Sequence, residues 1–243
     1  MQRRTALQAI GTAMFGAIAG CASQRQSSGE QPSSTESQRL NTDDSSETAD
    51  SLSRPITSDD IAFDVTVLQQ FTNDSPAQFE VRFTNDSDTR LTLFGGPVLP
   101  FTGLEGVHQN RDVALLLMPE DNSWITPTDG NSEVRDVPLV PPSRTDSCWT
   151  VEYEGMLRKQ TMLVDELRTG ESISHTYSLL DWGNESCLPT GSYAFSEGHP
   201  LQRGESSVEA GKFEVTLGFE AELDTERRVS VTVQDPTVRK HTH

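Results

Sequence analysis

Lysine is almost missing from this chain. Of its 19 basic residues only Lys159, Lys212 and Lys240 are lysines, against 37 acidic residues. No basic patch exists that would displace counterions from phosphate, which excludes nucleic acid as a partner. No apolar run reaches the ~20 residues a membrane-spanning helix needs. Cysteine is limited to Cys21, Cys148 and Cys187, too few for a cysteine-built zinc site. The five histidines, His108, His175, His199, His241 and His243, are scattered. Gly-x-Ser-x-Gly, His-Glu-x-x-His, the phosphate-cradling glycine loop and the dinucleotide glycine fingerprint are all absent. Nothing in the residues implies a cofactor or a metal. His175 alternates with Ile173 and Tyr177, the pattern of a half-buried strand residue rather than a base.

What is present starts at the N-terminus. Met1-Gln2-Arg3-Arg4 is followed by an uncharged run, Thr5 to Gly20, closing as Ile18-Ala19-Gly20-Cys21. A charged start, a short apolar stretch and small residues before a cut mark an export signal over residues 1–20. Arg3 and Arg4, with Leu7 three places on, resemble a twin-arginine signal. Ile18-Ala19-Gly20-Cys21 resembles a lipobox. That resemblance implies acylation of Cys21 and a membrane attachment through its lipid. Stable anchoring takes two chains at ~0.8 kcal/mol per buried methylene.

The net charge is −18, and loss of Arg3 and Arg4 with the signal makes the mature chain two units more negative. Such a chain repels itself in dilute buffer. In molar salt the Debye length shrinks to ~3 Å and the repulsion is screened. Carboxylate excess with scarce lysine is similar to proteins of salt-loving archaea. With the signal, the chain resembles a haloarchaeal twin-arginine-exported surface lipoprotein.

Residues 21–55 form a Ser/Thr-rich acidic segment without an aromatic residue, with Leu40 and Leu52 as its only large aliphatics. It cannot bury enough apolar surface to offset the entropy of ordering, and it is predicted to be a disordered tether. A linker of this length reaches ~30 Å. The folded part is predicted over residues 56–236, one domain, with a loose tail at 237–243.

Within that domain, period-2 alternation dominates. Ile61, Phe63, Val65 and Val67 share one face, as do Phe79, Val81 and Phe83. Leu91–Phe94, Trp149–Tyr153, Ile173–Tyr177, Tyr193–Phe195, Phe213–Phe219 and Val229–Val233 extend the series. Val113–Met118 is continuously apolar, as in a strand covered on both faces. Asn73-Asp74-Ser75-Pro76, Asn85-Asp86-Ser87-Asp88, Gly95-Gly96-Pro97 and Arg168-Thr169-Gly170-Glu171 read as turns. Met156–Leu167 is the one stretch predicted to be helical, and Glu197-Gly198-His199 is predicted to lie in a loop, where it could hold a carboxylate–imidazole pair. The pattern predicts an all-β, antiparallel sandwich or barrel.

Val81–Asp88, Leu167–Ser172 and Gly191–Phe195 resemble parts of an immunoglobulin-like β-sandwich, with weak similarity to the Ig-like intracellular proteinase inhibitor family. That resemblance implies an antiparallel Ig-like sandwich. The antibody spacing of a tyrosine two residues before the second cysteine does not transfer, because Cys187 precedes Tyr193.

With Cys21 assigned to lipid, Cys148 and Cys187 remain as a disulfide or as two buried thiols. A bridge would close a loop of about forty residues and contribute ~4 kcal/mol. Asn73, Asn85 and Asn184 head Asn-x-Ser sequons in predicted turns and are candidate N-glycosylation sites, Pro76 making the first the poorest. Asn85–Asp88 offers oxygen atoms to calcium, but without an EF-hand's glycine and distant glutamate it reads as a solvated turn.

These readings predict a lipid-anchored, non-enzymatic surface module on the extracellular face of the cell membrane. It would bind an extracellular ligand or pack against envelope proteins. The alternative is an extracellular carbohydrate-active or other hydrolase with carboxylates gathered from separate loops.

Overall fold

The computed structural model describes residues 54–205 and 212–240. The expected signal with Arg3, Arg4 and Cys21, nearly all of the expected tether, and His241 and His243 lie outside the described residues.

The described chain is all-β and its ladders are antiparallel. In chain order the strands are β1 (Ile61–Gln69), β2 (Ala77–Asn85), β3 (Leu91–Gly95), β4 (Leu104–His108), β5 (Ala114–Pro119), β6 (Ile125–Thr128) and β7 (Gly155–Arg158). They continue with β8 (Leu163–Leu167), β9 (Ser172–Asp181), β10 (Gly191–Arg203), β11 (Phe213–Leu223), β12 (Val229–Val233) and β13 (Thr237–Lys240). One ladder runs β1-β2-β9-β5-β4-β10-β11-β12, and β6 and β7 form a separate pair. Strands β1 and β12 come side by side, so the large sheet nearly closes like a barrel. The Gln70 side chain stitches that seam: its amide donates to the Val229 carbonyl at 2.8 Å and accepts from the Val229 N–H at 2.7 Å.

Alternation explains the strands. In β1 and β2, Ile61, Phe63, Val65, Phe79, Val81 and Phe83 are buried while Asp64 and Arg82 face solvent. Strand β5 is buried on both faces. Leu115 and Leu117 join the main core with Phe79, Phe101 and Tyr177. Leu116 and Met118 turn outward into a second cluster with Trp149, Val151, Tyr153 and Leu180. Phe195 of β10 stacks on Phe219 of β11 at 4.8 Å between ring centres. Gly106 lies flat against the same phenyl ring, where any Cβ would fall about 2.1 Å from it.

Several expectations are corrected. Met156–Leu167 is not a helix but strands β7 and β8. Leu163 and Leu167 stand four residues apart, a spacing that fits a helical stripe and also an even count along a strand; β8 pairs with β3 from Leu91↔Leu167 to Gly95↔Leu163. The tail is not loose through its length, because Thr237–Lys240 pairs with Thr216–Phe213 and Val238 packs on the core. Trp149–Tyr153 forms no named strand and makes only an isolated bridge, Thr150↔Asp181, although Trp149, Val151 and Tyr153 are buried in alternation. Glu197-Gly198-His199 lies inside β10, not in a loop, and no hydrogen bond joins the two side chains. Its polar residues share the face of Tyr193 and Phe195.

The connection from β3 to β4 runs through the interior. Val98, Leu99, Phe101 and Thr102 are all at most 5% exposed. A buried irregular segment must find partners for its peptide groups. The Thr102 hydroxyl accepts from the Val98 N–H (3.0 Å) and donates to the Val98 carbonyl (2.9 Å). The Tyr177 hydroxyl accepts from the Phe101 N–H (3.2 Å) and donates to the Phe101 carbonyl (3.0 Å). Burial pushes the Tyr177 phenol up, so it keeps the proton it donates.

Candidate functional site

The site is assembled around the end of β9. Register places Asp181 opposite Leu115 and Val107 opposite Ala114, so β4, the β4–β5 turn and the segment after Asp181 converge. Asp181 is 1% exposed. One of its carboxylate oxygens accepts from the Asn184 N–H (3.0 Å) and the Thr150 hydroxyl (3.3 Å). The other accepts from the Asn184 side-chain amide (2.9 Å) and the Leu188 N–H (2.8 Å). Asn184 in turn donates to the Ala114 carbonyl (2.7 Å) and accepts from the Ala114 N–H (3.2 Å). Its carboxamide thus adds one more rung to the ladder just past Leu115↔Asp181. Gly183 takes φ +71°, a conformation glycine adopts without strain. Cys187 is bonded to Cys148 with Cα atoms 5.6 Å apart, which clips the far end of the loop.

This pinned loop walls a hollow of about 620 Å³ lined by Glu105 and Val107 of β4, Asp112–Ala114 and Trp182–Ser186. Trp182 is half-buried and meets Tyr153 edge-on at 5.6 Å. Its indole N–H has no acceptor among the described residues. Val107 is 56% exposed at the rim. Glu105, Asp112 and Glu185 are exposed and form no ion pair or hydrogen bond among the described residues, and no lysine, arginine or histidine lines the hollow. The surface therefore offers an aromatic platform, a free N–H donor and uncompensated negative charge. Among the described residues no three His, Cys, Asp or Glu side chains converge as a metal-binding group.

The three sequon asparagines fare differently. Asn85 is fully buried; its amide donates to the Thr89 and Leu167 carbonyls, both at 2.8 Å, and its oxygen accepts from Ser87. Asn184 is consumed in the loop network above. Neither stands free in a turn: Asn85 ends β2 and is buried, and Asn184 is half-buried. Asn73 is exposed and its side chain makes no hydrogen bond. In the Asn85–Asp88 turn, Asp88 faces Arg54 at 3.0 Å.

The interior holds most of the shifted groups. Burial lowers His199 from 6.5 to about 4, against a bond with the Phe94 backbone, and its Nε2 has no partner. Burial raises Glu197, and the Arg158 guanidinium offsets part of that. Burial raises Tyr193 to about 12. Asp60 lies below its ordinary value: burial opposes ionisation, but the Thr57 N–H and the Arg203 guanidinium, 2.7 Å away, outweigh it.

No family model, curated protein or solved structure matches this chain. Its site is read from its own residues. The sequence marked Asn184 only as a sequon, and passed over Trp182, Glu105, Asp112 and Asp181. The one local signal was Asp181-Trp182-Gly183, an aromatic between a strand end and a glycine turn. The other residues come from about seventy positions upstream and meet it only through strand pairing.

Proposed function

We propose that this chain is a lipid-anchored surface module of the extracellular face, held through Cys21, that binds small organic cations in the hollow beside Trp182. The hollow is the observation that carries the reading. Its wall is pre-organised by Asp181, Asn184 and the disulfide, so little ordering cost opposes binding. An indole face attracts a desolvated cation, and Glu105, Asp112 and Glu185 supply a field of matching sign. The leader with Arg3, Arg4 and Cys21 supports the location, and a disulfide fits an oxidising compartment.

Titration of the purified domain with a quaternary ammonium probe tests this. Trp149 is buried and Trp124 lies under Lys159, so Trp182 is the indole that a ligand in the hollow reaches. The expected result is a saturable change in tryptophan fluorescence that weakens as salt rises. Trp182→Ala should abolish it, and Glu105→Gln with Asp112→Asn should weaken it about tenfold, two charges near water being worth roughly 1–2 kcal/mol together. Unsaturable response to the cation sinks the reading. The carboxylates around the hollow favour one second reading, a glycoside hydrolase; turnover of a neutral glycoside that is lost with the same carboxylates would establish that instead.

A further inference from the structure

We infer that, if the chain is exported as proposed above, it carries one N-linked glycan, on Asn73, and none on Asn85 or Asn184. Sequence alone ranks these sites the other way, because Pro76 follows the first sequon. The folded geometry reverses the order. N-glycosylation replaces one of the two amide hydrogens of asparagine. At Asn85 both hydrogens are donated to backbone carbonyls inside the protein, and the residue has no exposed surface. At Asn184 both are donated as well, to Ala114 and to Asp181. A sugar at Asn85 must break a buried bond and find room where none exists, and one at Asn184 must break a bond that holds the loop to Ala114 or to Asp181. The order of transfer and folding makes no difference at Asn85, since a chain modified there cannot reach this structure.

Asn73 is different in each respect. It stands at the tip of the turn between β1 and β2 and is exposed. The turn is held without its side chain: the Thr72 hydroxyl accepts from the Asp74 N–H (3.2 Å) and the Ser75 N–H (3.0 Å). The residue borders a hollow of about 180 Å³ edged by Arg144, Ser147 and Arg227. Arg144 has no carboxylate partner among the described residues, and Arg227 donates only to the Ser147 carbonyl, at 3.1 Å. Guanidinium donors beside the amide match the hydroxyl oxygens of a first sugar. In the transfer, the anomeric carbon of a lipid-linked sugar phosphate loses its bond to the phosphate oxygen and bonds Asn73 Nδ2. The amide gives up one proton to the transferase, and the lipid phosphate leaves.

The test is peptide mass mapping of the protein isolated from its native membranes, with the N-terminal peptide read in the same experiment. The expected result is a sugar mass on the peptide bearing Asn73 and unmodified peptides bearing Asn85 and Asn184. Asn73→Gln should remove the added mass of the whole protein and leave its thermal midpoint within about a degree of that of the enzymatically deglycosylated wild type, while Ser75→Thr should keep the sugar. A glycan at Asn85 or Asn184, or a bare Asn73, overturns the inference. A bare Asn73 beside an acylated Cys21 leaves the surface reading standing; a bare Asn73 beside an uncut Met1 removes both.

Discussion

Two irregular segments of this protein solve the same problem in opposite places. Residues 96–103 run through the core; residues 182–188 leave the end of β9, with Gly183, Glu185 and Ser186 exposed and Leu188 back in the main core. Each leaves peptide groups without a ladder, and each is served by a side chain from β9. Tyr177 satisfies both polar groups of Phe101. Asp181, two alternations further along the same strand, holds Asn184 and Leu188. Both side chains are buried, and the chemistry of the two clamps differs with the groups each must answer. A neutral hydroxyl that both donates and accepts suits Phe101, whose N–H and carbonyl both lack a ladder partner. A carboxylate is acceptor-only and answers several N–H groups at once, which suits a loop that turns through successive donors. The inner segment fills space and makes no opening. The outer one, held as firmly, leaves a hollow beside Trp182.

The comparison is broken most severely at the outer clamp. Asp181→Ala removes a buried carboxylate that accepts four hydrogen bonds and strands two backbone N–H groups. Bonds to a charged group contribute about 1.5–3 kcal/mol each, partly recovered by water once the loop opens. The expected loss is about 4 kcal/mol in urea unfolding, together with loss of the Trp182 fluorescence response to a quaternary ammonium probe. If the variant keeps both stability and response, the loop is held by the Cys148–Cys187 bond alone.

The inner segment has its own point of failure, and acid finds it. His199 packs against Phe101, with ring centres 6.3 Å apart, and its Nε2 is unpartnered. Its folded pKa, about 4, lies below the ordinary 6.5. The unfolded chain therefore binds the proton first. The contribution is fully present above pH 6.5 and is lost progressively as pH falls toward 4, by up to about 3 kcal/mol. Glu197 acts in the other direction, since its raised pKa favours the folded form as it protonates, and this trims the slope. Unfolding free energies measured from pH 7 to 4 should fall for the wild type and stay flatter for His199→Gln. Equal slopes for the two would take His199 out of the account.

How much of this was legible in the sequence follows from the same contrast. Alternation of apolar residues exposed β1, β2, β3, β9, β11, β12 and the first part of β10, and a continuous apolar run exposed β5. Strand β4 escaped because Gly106, needed under the Phe195 ring, interrupts its pattern. Strands β7 and β8 were hidden by leucines whose spacing serves either period. The inner segment, Pro97-Val98-Leu99-Pro100-Phe101, has the apolar content of a strand but two prolines, so nothing local says that it is buried. Of the hollow, only Asp181-Trp182-Gly183 left a local trace in the sequence. Glu105, Asp112 and Trp182 are neighbours only because β4 pairs with β5 and β5 with β9, and register is a property of the folded sheet.

Tyr177→Phe gives the smallest effect and sharpens the comparison furthest. The substitution keeps the ring and its edge contact with Phe101, 6.3 Å between centres, and deletes one oxygen. The Phe101 N–H and carbonyl then lose their partner inside a region with no exposed surface. Leaving two buried backbone groups unpaired costs about 2 kcal/mol when the segment can shift slightly to recover part of one bond. Binding of the quaternary ammonium probe should be unchanged, because Tyr177 reaches the interior and Asp181 alone reaches the loop. A fall in stability with intact binding separates the two clamps. A fall in both would mean that β9 transmits the inner defect to the outer loop, and that the two segments form one cooperative unit.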